Sequence, residues 1–401
     1  MKILHISAVY SIGNGGIYSD LGEALAADGH SVDVLLADAS LRFGDKPFWF
    51  GQKGVSILRV PTFRMQKMGV VKKALAFVSL PFILKRALKK FLSRKSYDLV
   101  IFDAPPITLT PVVASAKKLF KCPVFLMQKD IFPQNAVDVG LFPKCSPVYW
   151  YFRRLEKKML ALADKIGCMS QGNIDYIRAH NPCLDAEKVV YFPNAVKINP
   201  FVSPDGRAEV CRKFGIPQNA CIFLYGGNMG IPQYMQLFAA AIRHFKNDAR
   251  IYFMCIGSGT KAGIVKDAIA AEKPSNAAYY SAMPRADFDL FARNCDVGVV
   301  TLSPRFTIPN YPSKSLGYMA ASLPILAATD TNTDFRDLIE AQAKCGIWCA
   351  SSDENAFFEA IQKLASDPAL RNAFGASGRE YFERNFDAAV WAKRLVELFT
   401  A

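Results

Sequence analysis

Histidine is scarce in this chain, four among 401 residues. His5 falls in a strand-like run, His30 in a helix-to-strand turn, and His180 and His244 have no motif around them. Neither a Ser-His-Asp nor a Cys-His arrangement can therefore be placed. The ten cysteines lack metal-ligand spacing; even Cys345 and Cys349 have no His or Cys partner nearby. Several sit in apolar runs such as 166–169 and 252–256, the usage of a reducing compartment. Long hydrophobic runs are missing too. The longest within the most basic stretch, Ala74–Leu84, is broken by Pro81 and falls far below the ~20 residues that span a bilayer. The start, MKILHISAVY, is too short an apolar run for a signal peptide and lacks a small-residue cleavage site, so it reads as a first strand and a cytoplasmic location is expected. Repeats and low-complexity tracts are absent, which argues against solenoids and disorder.

Acidic residues are missing from one whole segment. Between Arg64 and Lys95 stand ten basic residues and no Asp or Glu, interleaved with Val70, Val71, Leu75, Phe77, Leu80, Phe82, Leu84, Leu88 and Leu92. The formal charge of the chain is +14, which calls for an anionic partner. A helix-prone, basic and apolar segment fits an anionic membrane surface, each cation contributing on the order of 1 kcal/mol there. A core-packing helix pair with a solvated basic face is the competing reading; the complete absence of acid favours the membrane. Nucleic acid is not expected as a partner.

What is present in quantity is apolar content, 51%, with 25 Gly and 23 Pro. At this length two domains are expected, since single cores stop growing at about 250–300 residues. Strand-like runs at 2–8, 31–36, 55–60, 99–102, 124–128, 165–169 and 189–191 alternate with helical patterns at 17–28, 111–120 and 148–163. The alternation then restarts at 222–225 and runs through strands at 251–256 and 278–280 to a pair at 296–302 and 324–328. This is the pattern of α/β domains with parallel sheets covered by helices. The division expected is 1–196, a linker 197–218, a second Rossmann-like domain 219–378, and a terminal helix 379–401 packing back on the first domain.

Three glycine turns follow strands. Gly13, Gly15 and Gly16 precede the first helix; Gly226, Gly227, Asn228 and Gly230 open the second half; Gly257 and Gly259 follow its next strand. Glycine there permits close backbone approach to a phosphate or sugar, and helix starts favour anions. Tight turns also use glycine for steric reasons alone, and none of these is the dinucleotide fingerprint. Open α/β sheets bind ligands at the carboxyl ends of strands, so a cleft between two halves is the expected site. The stretch Arg305–Pro324, RFTIPNYPSKSLGYMAASLP, adds two cations, Arg305 and Lys314, to a Pro-Ser-Lys turn that opens a helix. A solvated loop with two surface cations is the alternative.

Taken together, these residues resemble a GT-B-fold glycosyltransferase of the family-4 retaining group, which transfers sugars in bacterial surface-polysaccharide assembly, and within it the fucosaminyl/galactosyl transferase subgroup. The resemblance is carried by Gly15-Gly16, Gly29-His30-Ser31-Val32, the run Lys129 to Val137, Ala163-Asp164-Lys165-Ile166, Met169-Ser170, Pro193-Asn194, Gly227-Asn228, Tyr311-Pro312-Ser313-Lys314 and Tyr318-Met319-Ala320. It implies a UDP-sugar held by the second domain, an acceptor held by the first, and neither metal nor cofactor. The donor residues it implies are Gly227, Asn228, Gly257, Met283, Pro284, Arg305, Ser313, Lys314 and Ser315, with Met283-Pro284 reading the base. Gly13, Gly15 and Gly16 become a cleft glycine loop. Asp130, beside Lys129, is expected to hydrogen-bond the transferred sugar or the acceptor hydroxyl, although an N-cap role is the plain alternative. Asp103 and Asn194, at strand ends, are favoured turn formers.

The chain departs from that family in two places. Asn228 and Gln233 stand where many relatives carry Arg and Lys, and Pro309 and Gly317 stand where many carry a pair of glutamates. Arg305 and Lys314 are then expected to supply the charge a leaving diphosphate needs, each preorganised donor mattering by ~2.7–4 kcal/mol. The expected activity is transfer of a hexose or N-acetylhexosamine to a polyprenyl-diphosphate-linked acceptor at the cytoplasmic face of the inner membrane. A UDP-sugar 2-epimerase of the same fold and a non-catalytic scaffold are the alternatives. Sugar, linkage and oligomeric state are not legible.

Overall fold

The computed structural model describes residues 1–63, 70–202, 206–281 and 283–400. Its chain forms two units, Met1–Lys197 with Phe386–Ala401, and Ile198–Asn385.

The first unit is built on an eight-stranded sheet. Its strands are β1 (Lys2–Ser7), β2 (Ser31–Asp38), β3 (Phe48–Gln52), β4 (Val55–Pro61), β5 (Leu99–Ala104), β6 (Val124–Gln128), β7 (Lys165–Cys168) and β8 (Val189–Tyr191). The order is β3-β4-β2-β1-β5-β6-β7-β8, parallel throughout except for the β3–β4 hairpin. Between the strands run α1 (Ile17–Ala27), α2 (Val70–Ala87), α3 (Thr110–Phe120), α4 (Gln134–Asp138), α5 (Pro147–Leu162) and α6 (Gln171–His180). Strands β1, β2, β5 and β6 are buried on both faces, which is why they read as continuous apolar runs. Strand β3 was not anticipated from sequence: it is an exposed aromatic edge, Phe48-Trp49-Phe50, whose rings take the Arg59 guanidinium and the Lys95 ammonium on their faces.

The second unit opens with α7 (Arg207–Phe214), inside the stretch read as a linker. That helix belongs to the unit because Arg207 pairs with Asp296 at 2.9 Å and Phe214 packs edge-on against Tyr280 and Phe291. Six parallel strands follow: β9 (Cys221–Gly226), β10 (Ile251–Ile256), β11 (Ala277–Tyr280), β12 (Val297–Thr301), β13 (Ile325–Thr329) and β14 (Gly346–Ala350). Their order is β11-β10-β9-β12-β13-β14, the doubly wound Rossmann order with its reversal between β9 and β12. The helices are α8 (Met235–His244), α9 (Ala262–Glu272), α10 (Arg285–Arg293), α11 (Lys314–Ala320), α12 (Phe335–Asp337), α13 (Glu354–Ser366) and α14 (Pro368–Asn385). Helix α14 runs through Arg379, which donates to the carbonyls of Ala320 and Asn199, so the chain leaves this unit at residue 386 rather than 379. Helix α15 (Ala388–Thr400) then packs on α1 in the first unit, burying Trp391, Ala392 and Leu395 with Phe192 and Leu25.

The basic segment is described only in part. Its residues 64–69, and the side chains of 70–78, lie outside the described residues. From residue 80 onward the apolar stripe belongs to the core: Leu80, Leu84, Leu88 and Leu92 are buried, while Arg86, Lys89 and Lys90 are exposed. Spacing of four places these leucines on one helical face turned to the sheet. Lys95 is taken up by Asp33 at 2.7 Å. The solvated-face alternative therefore describes this part, with Phe82 the one large apolar side chain exposed among residues 80–95. No described helix is long and apolar enough to cross a membrane.

Candidate functional site

In the second unit, the carboxyl ends of β9, β10 and β12 carry three turns that lock onto one another. Gly227 donates to the Ile256 carbonyl, Met229 to that of Ser258 and Lys261 to that of Met229. The turns approach so closely that a Cβ on Gly257 would lie 1.9 Å from the Gly227 oxygen, and one on Gly259 would lie 2.3 Å from the Met229 oxygen. Gly257 also has φ +148. Glycine is here a packing requirement as well as a conformational one. Gly227, with φ +110, has open space where a side chain would go.

Asn228 and Gln233, at the two positions without the family's cations, bond each other. Gln233 Oε1 accepts from Asn228 Nδ2 at 3.3 Å and from the Gly230 N–H at 2.9 Å. A neutral pair thus shapes the turn. Met283 is half-buried and Pro284 exposed, just ahead of α10.

The loop from β12 to α11 begins with Ser303 donating to the Pro232 carbonyl, and its Phe306 and Ile308 are buried. Thr333 Oγ1 donates to the Asn310 carbonyl at 2.6 Å, and Tyr311 sets its ring edge-on to Phe335. Arg305 is exposed, held by its backbone N–H on Ser303 Oγ. Ser313 is exposed, whereas Ser315 is buried with its hydroxyl donating to the Pro312 carbonyl. Ser315 is thus occupied in the turn itself.

Lys314 is the outlier. Its Nζ is shut off from solvent without a hydrogen-bond partner, although part of the residue reaches the surface. It stands 3.8 Å over the Tyr225 ring. Burial pulls its pKa down from the ordinary lysine value to about 7. Tyr318, from the next turn of α11, accepts the Gly226 N–H at 2.9 Å, and Gly298 is needed because a Cβ there would enter the Tyr318 ring. An unpaired buried amine beside glycine turns at the strand-order reversal is an arrangement for an anion.

The first unit has its own reversal, between β1 and β5. There Asp103 is fully buried, with His5 Nε2 2.6 Å from its Oδ1 and the Ser7 hydroxyl donating to its Oδ2. Sequence reasoning missed this cluster. Alternation along β1 puts His5 and Ser7 on one face, but that Asp103 adjoins them follows only from the strand order. The carboxylate stands between the other two, so the imidazole is not on the serine and the cluster lacks the Ser-His-Asp order of a nucleophilic triad.

Beyond β6 comes Lys129, whose ammonium donates to the carbonyls of Phe192 and Pro193 at 3.2 Å each. Its burial lowers its pKa to about 7. Asp130 accepts from Asn135 Nδ2 at 2.6 Å, and burial raises its pKa to about 6 despite this bond and one from the Ile131 N–H. It does not cap α4, which starts at Gln134 with Pro133 at the N-cap position. The glycine loop is tied inward: Gly13 donates to Gln52 Oε1 and Gly16 to Asp20 Oδ1. Asp20, in the first turn of α1, therefore already occupies that helix start. Gly15 contributes φ +65. Asn194 is buried, with Nδ2 3.3 Å from the Met169 sulfur and Oδ1 unpartnered. Among the described residues no group of three or more His, Cys, Asp or Glu stands together to hold a metal.

Residues 17–195 match the family described as Glycosyl transferase 4-like domain, and residues 207–381 the family described as Glycosyl transferases group 1. The chain is 25% identical over 264 residues to the probable glycosyltransferase WbjE of Pseudomonas aeruginosa, covering 65% of this chain and 64% of that protein. It thus spans just under two thirds of that relative's length. Among solved structures it is similar to sucrose-phosphate synthase from Thermosynechococcus elongatus, with TM-score 0.76, 18% identity, and 100% and 98% of the two chains covered. It is similar also to Anabaena HepE in complex with UDP-glucose, with TM-score 0.72, 16% identity, and 100% and 99% covered. At these identities the likeness shows the fold, which is GT-B. The chain belongs to the glycosyltransferases, its first unit a glycosyl transferase 4-like domain and its second a glycosyl transferases group 1 domain.

Proposed function

We propose that this protein transfers a hexose or N-acetylhexosamine, with retention and without a metal, from a UDP-sugar to a polyprenyl-diphosphate-linked acceptor in polysaccharide assembly at the cytoplasmic face of the inner membrane. The observation that carries the donor half is the sealed, unpartnered Lys314 amine beside the interlocked turns of Gly227 and Gly257. An amine left unpaired in the core costs stability, and a diphosphate would supply both its charge partner and its hydrogen bonds. The complex of HepE with UDP-glucose supports a uridine nucleotide as the ligand of this fold. Arg305, exposed on the same loop, adds a second cation, and the exposed Ser313 hydroxyl adds a donor. Met283 and Pro284 are assigned to the base.

Asp130 supports the acceptor half. Burial raises its pKa to about 6, which suits a group that exchanges a proton or a hydrogen bond with a hydroxyl. Calorimetry with UDP-glucose and with UDP tests the reading. Lys314→Ala and Arg305→Ala are expected to weaken nucleotide binding more than Asp130→Ala does, while Asp130→Ala mainly lowers turnover. Absence of any uridine nucleotide binding by the wild type would overturn it.

A further inference from the structure

Helix α5 and the loop before it carry an unusual surface. Leu141, Trp150 and Tyr151 are 62%, 62% and 64% exposed, and Val148 is exposed as well. At 100° per residue, positions 150, 151, 154, 157 and 158 share one face, so Trp150 and Tyr151 stand beside Arg154, Lys157 and Lys158, all exposed. The one acidic residue of the helix, Glu156, is buried and bonded to Arg153 at 2.6 Å. The outward charge of the helix is therefore wholly positive. Lys144, exposed in the preceding loop, continues it. The opposite face, with Tyr149, Met159 and Leu160, is buried in the unit.

The base beneath this face is firm. Ser146 caps the helix by accepting the Tyr149 N–H, and Pro147 takes its first position. Phe152 sits edge-on to Phe132 at 4.9 Å and stacks with Phe142. Phe132 is two residues from Asp130, so the helix is packed directly onto the loop assigned to the acceptor. Helix α2, with exposed Phe82 and Arg86 and followed by exposed Lys89 and Lys90, packs against the same 107–120 segment as α5.

We infer that the α5 face docks on an anionic lipid bilayer, with Trp150 and Tyr151 at headgroup depth and Arg154, Lys157 and Lys158 on lipid phosphates. The inference rests on the lipid-linked acceptor proposed above and deepens it by naming the surface. Charge complementarity selects this occupant: indole and phenol rings with an apolar body and a polar tip suit the membrane interface, and an outward charge of one sign suits anionic headgroups. A second copy of the chain would oppose like charges.

The test is flotation with vesicles of phosphatidylglycerol and phosphatidylcholine, against vesicles of phosphatidylcholine alone, neither containing a saccharide acceptor. Wild type is expected to float with the anionic vesicles, and added salt to release it. Trp150→Ser/Tyr151→Ser and Lys157→Glu/Lys158→Glu are each expected to lower partitioning at least tenfold. The thermal melt of the first unit, followed by circular dichroism, and UDP-glucose binding without lipid are both expected to be unchanged in both variants, which shows that both units fold. Wild type that stays with the buffer, variants that float as well as wild type, or a dimer that needs Trp150 and forms in place of vesicle binding would each overturn the inference. Nucleotide binding is read separately, so loss of this surface and loss of the donor reading are distinguishable.

Discussion

In the proposed donor site, Lys314 makes nucleotide binding sensitive to pH in a calculable way. In the unliganded protein burial lowers its pKa to about 7, against about 10.4 for a free lysine. A diphosphate beside the amine favours the charged form, so the pKa rises in the complex and binding takes up a proton whenever the free amine is neutral. The sign follows: affinity is full below pH 7 and is lost as pH rises above it. If only the protonated amine binds, the apparent Kd scales as one plus ten to the power of pH minus pKa, so it weakens about tenfold between pH 6 and pH 8, or ~1.4 kcal/mol. UDP-glucose is the ligand to use, because both its phosphoryl groups are esterified and lack the second ionisation near about pH 6 of a phosphate monoester. Calorimetry in two buffers of different ionisation enthalpy would show proton uptake at pH 8 and little at pH 6. Lys314→Met keeps the stem and removes the proton; it is expected to bind weakly with a flat profile. A wild-type affinity constant from pH 6 to 8, or the same slope in Lys314→Met, would refute the reasoning.

The same burial has a consequence for stability. A lysine whose folded pKa is depressed opposes folding wherever the unfolded lysine is charged, fully below about pH 7 and progressively less up to about 10.4. Lys314→Met is therefore expected to melt higher than wild type at neutral pH, the difference shrinking as pH rises, and a lower melting temperature would show that the amine is satisfied in the fold.

Other predictions concern the remaining site residues. Gly257→Ala drives a Cβ to 1.9 Å from the Gly227 oxygen at a backbone angle that L side chains rarely adopt; roughly 2–5 kcal/mol of stability and most nucleotide affinity are expected to be lost, by thermal melting and calorimetry. Asp130→Asn is expected to lower turnover by about 10² or more and leave UDP-glucose affinity within about twofold. Because the Asp130 pKa is raised to about 6, wild-type turnover that uses the carboxylate falls as pH drops through 6, a limb absent from the residual Asp130→Asn rate.

The parallel strands were legible because burial on both faces writes an unbroken apolar run, as in Val297–Thr301 and Ile325–Thr329. What escaped had no such signal. Strand β3 pairs at an edge through exposed aromatics, and β14 (GIWCA) is five residues of which three, Ile347, Trp348 and Ala350, are only half-buried. The segment 80–92 was ambiguous for the opposite reason. Its apolar residues fit a membrane face or a core face equally, and only the burial of Leu80, Leu84, Leu88 and Leu92 decides between them. The α5 face, in contrast, is hidden from a composition scan by Glu156, whose burial against Arg153 removes it from the surface.

The donor residues divide along the same line. Glycine turns after strands could be read from the chain, but that Gly257 and Gly227 touch requires β9 and β10 to be neighbours, which a sequence does not state. Charge showed a deeper limit. Arg305 and Lys314 look alike in the sequence, yet one is exposed and the other sealed over Tyr225. An exposed guanidinium stays hydrated until a ligand arrives and contributes little in high dielectric. A sealed amine acts at low dielectric, where one charge does more than several at the surface. With Asn228 and Gln233 bonded to each other as a neutral pair, the proposed donor site leaves diphosphate affinity to turn on Lys314, and its proton is the quantity to measure.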